Sequence, residues 1–187
     1  MRGSIFAVDL HTRIVTSGYS FPAGIHPFWD RSTEIQVFDN VVVQGLSSED
    51  RILILSYNGI KNQWRRLRYV TDIAHSLSRA TDLNWPLLIE RAQELKATRV
   101  LKLGLYMTHD VLGVRLPDDI QSWIDDRVVE DVASRMQKYL RSRHQVSSLS
   151  FGERVRLQLM MKDTVGGQIR YCVHSLLRHL WSDLVRS

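Results

Sequence analysis

One cysteine, four prolines and no apolar run of bilayer length occur in these 187 residues. The lone thiol, Cys172, closes no intramolecular disulfide, and no Cys/His quartet at zinc-ligand spacing surrounds it. A disulfide-stapled scaffold and a zinc ribbon are therefore excluded, and the cysteine usage points to a reducing cytoplasm. The first apolar run, Ile5-Phe6-Ala7-Val8, stops at Asp9, too short for a signal-peptide core, and no membrane association is expected. Equally missing are a nucleophile elbow, a helix-turn-helix signature, an aromatic platform for single strands, an internal repeat and a low-complexity tract. His26, His75, His109, His144, His174 and His179 share no metal-ligand spacing; the last two, five residues apart, fall on different faces of a helix.

What is present has the make-up of a folded domain. At 44% apolar and 24% charged residues, the 21.7 kDa chain can bury one sizeable core, or a small domain with a helical extension. Its formal charge of +5 is concentrated after residue 126, where eleven Lys/Arg face five Asp/Glu. Two readings stay open there: a solvated basic helix surface, or a face for an anionic partner, nucleic acid included.

From Ile5 to Ile14 the residues alternate, with Phe6, Val8 and Leu10 on one face and Ala7, Asp9 and His11 on the other, which predicts a strand with one buried side. Gly18 to Pro27 reads as a loop pinned by Phe21, Phe28 and Trp29. Glu34 to Phe38 and Val41 to Gln44 flank Asp39-Asn40 as a hairpin. After Ser47 the pattern is helical. Ser47 or Ser48 caps a helix with Glu49 and Asp50 in its first turn, and Ile60, Trp64, Leu67, Val70, Ala74 and Leu77 follow as one apolar stripe. Further helices are predicted over about 85–96, 98–112, 118–143, 150–162 and 168–184, with Gly113 and Pro117 stopping the second and Gly166-Gly167 separating the last pair. The expectation is an α+β fold, mainly α: residues 1–46 as a small piece of sheet (strand plus hairpin), and 47–187 as a helical bundle.

Val8-Asp9-Leu10-His11, then Asn58-Gly-Ile-Lys61-Asn62-Gln-Trp64-Arg65-Arg66-Leu67 running to Asp72, then Leu83-Asn84-Trp85 and Leu112-Gly113 to Pro117, resemble in this order the uncharacterised nucleotidyltransferase family, a distant branch of the polymerase-beta-like superfamily. The resemblance covers roughly residues 6–117. It implies magnesium-dependent transfer of a nucleotidyl group from a nucleoside triphosphate to an unknown acceptor, with magnesium held only in a completed protein. Asp9 stands at the position of one metal-ligating carboxylate, with His11 beside it as a second catalytic candidate. Asn58, Lys61, Asn62, Trp64, Arg65, Arg66 and Asp72 are the candidate substrate-binding residues, the two asparagines standing where relatives tend to carry histidine.

The superfamily's Gly-Ser followed by an Asp-x-Asp pair has no counterpart, since Gly3-Ser4 lacks the acids. The chain thus resembles the back two-thirds of such a protein, and an upstream domain or a homodimer covering the sheet edge is expected. The residues alone also admit plainer roles: Asp9 and His11 on a solvent face, Trp64 and Leu67 in a core stripe, the basic residues as solvated surface, and Asp72 paired with Arg68 one turn earlier. On that reading the chain is a non-catalytic helical module binding a protein or nucleic acid through its basic helices.

Overall fold

A computed structural model of the chain describes residues 26–38, 40–81, 83–141 and 149–184. The strand expected over Ile5 to Ile14, with Asp9 and His11, lies outside these residues, as does Phe21. The described elements are α1 (His26–Trp29), β1 (Thr33–Phe38), β2 (Val41–Gly45), α2 (Ser48–Lys61), α3 (Arg68–Arg79), α4 (Trp85–Glu94), α5 (Thr98–Leu112), α6 (Asp118–Ile124), α7 (Arg127–Arg141), α8 (Phe151–Met160) and α9 (Val165–Leu184). A small antiparallel sheet followed by a helical bundle makes the fold α+β and mainly α, as the sequence pattern implies.

The hairpin pairs Thr33 with Gly45 and Ile35 with Val43, with an irregular step between Gln36 and Phe38. Val37, Val41, Val42 and Val43 are all exposed, so both faces of the ribbon carry apolar surface. The bundle is organised around α5, which packs against α2, α3, α4, α6 and α7. Its buried Leu101, Leu103, Leu105 and Met107 point in several directions, as a helix with neighbours on several sides requires. Gly104 sets the α2–α5 crossing: a Cβ there would lie 2.2 Å from Ser56 Oγ, whose hydroxyl instead donates to the Ile52 carbonyl at 2.8 Å.

Capping follows the sequence closely. Ser47 Oγ accepts from the Asp50 amide, Asn84 from Leu87, and Ser150 forms a reciprocal capping box with Glu153. Gly113, at φ 66°, ends α5 in the left-handed conformation.

Four expectations need correction. Trp29 is 57% exposed, so Phe28 alone of that pair is buried in the core, and His26–Trp29 form the short helix α1. The segment 118–143 is two helices, because Asp125 turns extended and the Asp126 carboxylate accepts from the amides of Val128 and Val129 to start α7. Gly166-Gly167 does not break a helix; it forms the first turn of α9, capped by Thr164, whose Oγ1 accepts from the Gly167 amide at 3.1 Å. Glycine's entropic cost of about 1 kcal/mol is outweighed where a cap satisfies the amides. Finally, the stripe from Ile60 to Leu77 is not one helix but two, joined by the turn at 62–67.

The α8–α9 junction reaches back to the centre. Asp163 accepts from the amides of Thr98 (2.6 Å) and Arg99 (3.0 Å), capping α5 from 65 residues away, and the Arg99 guanidinium donates to the Met160 and Lys162 carbonyls. Lys162 is buried beside it, its ammonium 5.2 Å from the centre of the Tyr171 ring. Burial pulls this lysine down from 10.5 to about 8, against the opposing pull of Asp163. Between those values the unfolded chain binds more protons than the folded one, so stability rises with pH across that window and is lost again as pH falls towards 8. Urea unfolding of wild type and Lys162→Met should converge on going from pH 8 to 10.5, by up to about 3 kcal/mol. Parallel pH profiles would place the ammonium in water.

Candidate functional site

Lys61 closes α2, and the next six residues turn the chain into α3. The Trp64 amide donates back to the Gly59 carbonyl at 2.9 Å and the Gln63 amide to Ile60 at 3.1 Å. To make those bonds Gln63 and Trp64 both take left-handed backbone angles, φ 59° and φ 50°. Each costs about 1–2 kcal/mol for a residue with a side chain. What holds the conformation is the indole: Trp64 is fully buried in the core cluster and lies flat against Gly59. A Cβ at Gly59 would sit 2.3 Å from the ring, so glycine is required where the indole crosses α2.

The turn displays Asn58, Lys61, Arg65 and Arg66 at the surface, with Asn62 half-buried among them. Asn62 is committed to the turn: its side-chain amide donates to the Asn58 carbonyl at 2.8 Å, a second bond to an oxygen that already accepts the Asn62 backbone amide at 3.1 Å. Arg65 leans on the same corner, its Nε donating to the Asn62 carbonyl at 3.4 Å. Among the described residues, none of Lys61, Arg65 and Arg66 forms an ion pair. The amides of Tyr69 and Val70 donate to the carbonyls of Arg66 and Leu67, so these two amides at the start of α3 are already engaged.

Three placements differ from the sequence reading. Leu67 is 49% exposed, a member of the turn and not of the core stripe. Arg68 does not pair with Asp72; its guanidinium stacks 5.0 Å from the Tyr69 ring centre and reaches the phenol oxygen at 3.4 Å. Asp72 stands exposed on α3, beyond the turn that gathers the others. Trp64 belongs with the site only indirectly, since its buried ring fixes the geometry of the residues around it.

Sequence reasoning missed a buried ionic cluster. Asp50 is fully buried; one carboxylate oxygen accepts from Arg91 Nε at 3.2 Å, and the other lies 3.5 Å from Arg31 Nε. Arg91 also donates to Glu94 at 2.7 Å and to the Pro27 carbonyl at 2.9 Å, while Glu49 accepts from the Asn84 amide at 3.2 Å. Burial pushes the Asp50 carboxyl up, opposed by Arg91 and then Arg31. The cluster ties α1 and the segment after it to α2 and α4. Its signal was periodicity: Asp50 stands three residues before Leu53, and Arg91 three after Leu88, both on buried faces.

The ordered motifs find a counterpart beyond the fold. A family model described as uncharacterised nucleotidyltransferase matches residues 2–113, more than half the chain. The chain belongs to that family. The uncharacterised nucleotidyltransferase match extends from the segment containing Asp9 and His11 through the Trp64 turn to the end of α5, leaving α6 to α9 outside it. Neither the curated proteins nor the solved structures offer a match to this chain.

Proposed function

We propose that this protein works in the transfer of a nucleotidyl group from a nucleoside triphosphate to an acceptor, with Lys61, Arg65 and Arg66 gripping the triphosphate. The observation that carries this reading is the turn itself: three exposed cations, without carboxylate partners among the described residues, stand on a backbone held in a costly conformation by a buried indole. The backbone of such a corner loses little conformational freedom on binding a polyphosphate, so the ordering cost falls on the side chains alone. An arginine can bind two phosphate oxygens at once, while Lys61 acts as a mobile point charge. Asn58 and Asn62 can donate and accept hydrogen bonds but do not ionise near neutral pH, so a proton shuttle falls to His11 in this proposal.

Magnesium enters the proposal through Asp9, which the family resemblance assigns as a carboxylate ligand. Among the described residues no three His, Cys, Asp or Glu side chains converge on one point, so they offer no seat for the ion and no step is derived through it. The test is thermal unfolding of the full chain with each of the four common ribonucleoside triphosphates and magnesium chloride. At least one should raise the melting temperature. Lys61→Ala combined with Arg66→Ala should weaken that ligand about tenfold or more, since a charged hydrogen bond contributes about 1.5–3 kcal/mol. Without nucleotide the double variant should melt close to wild type, as exposed substitutions generally do. Equal nucleotide response in variant and wild type, or none in either, would remove the reading.

A further inference from the structure

Helix α9 exposes Val165, Ile169, Val173, Leu176 and Leu177, with exposures of 52–70%. At 100° per residue these five fall within one third of the helix circumference, a continuous stripe about 18 Å long. Tyr171, on the far side, is the buried contact. Ile169, Val173 and Leu176 of the stripe also line an open trough of about 590 Å³ between α8 and α9, together with Leu159, Met160 and Gly152, where a Cβ would meet nothing within 4 Å.

The charges flanking this apolar surface are predominantly basic. Between Ser150 and Leu177 the sequence has two carboxylates, Glu153 and Asp163. Both are engaged in capping: Glu153 accepts from the Ser150 amide and hydroxyl, Asp163 from the amides at the start of α5. Arg156 lines one side of the trough, and Arg170 stands at the opposite margin of the stripe, exposed. A second copy of the chain would present the same basic margins, and a bilayer surface offers no ridge to lie along the groove between two helices. A helix does, by packing its ridge into the groove between two others.

We propose that the α8–α9 trough and the adjoining stripe of α9 form a docking surface for an acidic amphipathic helix of a protein partner. The partner helix spans three to four turns, with apolar residues at every third or fourth position and Asp or Glu on the flanks that meet Arg156 and Arg170. This surface lies outside residues 2–113, so it adds a recruitment function to the family's domain rather than altering the triphosphate corner.

The test uses the full chain and three fluorescein-labelled synthetic helices of about 14 residues: leucines at helical spacing flanked by glutamate, the same flanked by lysine, and a scrambled glutamate version. Anisotropy should show the glutamate helix binding at least about tenfold more tightly than either control. Ile169→Ser with Leu176→Ser should weaken it about tenfold or more with an unchanged circular dichroism spectrum, and Arg156→Glu with Arg170→Glu should reverse the preference to the lysine helix. Equal affinity for the two charged helices would overturn the proposal. So would sedimentation showing a dimer that the serine variants dissociate, or phosphatidylglycerol vesicles bound through the same residues.

Discussion

Trp64→Ala should lower the free energy of unfolding by about 3–5 kcal/mol, the range for removing a large buried aromatic side chain. The loss has two parts. The cavity left against Gly59 removes packing from the centre of the α2–α3–α5 core, and Gln63 and residue 64 lose what compensates their left-handed backbone. Two companion variants separate these parts. Trp64→Phe should cost less than half as much, because it keeps most of the ring and removes an indole N–H that is buried without a hydrogen-bond partner among the described residues. Gly59→Ala should be destabilising by about 1–3 kcal/mol, since its methyl meets the indole and neither element has room to retreat. Urea unfolding followed by far-ultraviolet circular dichroism reads all three. If the turn positions the triphosphate contacts, Trp64→Ala should also weaken nucleotide binding under conditions where it is still folded. Substitutions at Lys61 and Arg66, by contrast, should weaken binding and leave stability close to that of wild type.

Arg91→Ala should be of similar size, about 3–5 kcal/mol at neutral pH. It strips Asp50 of its closest cation and leaves the Pro27 carbonyl without its guanidinium donor. Arg31, at 3.5 Å, remains to Asp50 but is one-third exposed. The pH dependence has a defined sign. Burial already raises Asp50 above its usual 3.8, and losing Arg91 raises it further. A carboxyl raised in the folded state is tolerated when protonated, so the deficit of Arg91→Ala should grow as pH rises from about 4 to 7. Adding Asp50→Asn should recover more than half of the loss, because the uncompensated charge, not the missing contact, is the larger cost. Additivity of the two substitutions in a double-mutant cycle would mean that the cluster is not coupled.

Much of this fold could be read from short-range chemistry. Asn84 before Trp85-Pro86, Ser150 three residues ahead of Glu153, and Gly113 after Leu112 each satisfy or release helix ends within one turn, and each boundary lies where those residues place it. The hairpin was legible for the same reason. Where signals were local but opposed, the tertiary context chose. Gly166-Gly167 reads as a breaker, yet Thr164 and the contact with α8 make it a helix start. Asp125-Asp126 reads as helix, yet one aspartate caps and the other turns the chain.

The sequence by itself determined the family, through residues standing in order along the chain, and the class of fold, through a period that changes from two to three or four after Ser47. It could not determine that Trp64 and Gly59 form a lock, that Asp50 and Arg91 meet across 41 residues, or that Asp163 caps a helix that begins 65 residues earlier. Periodicity assigns a residue to a face of its own helix, whereas these pairings depend on which face of another helix it meets. That choice is made by close packing around α5, and only the tertiary structure contains it.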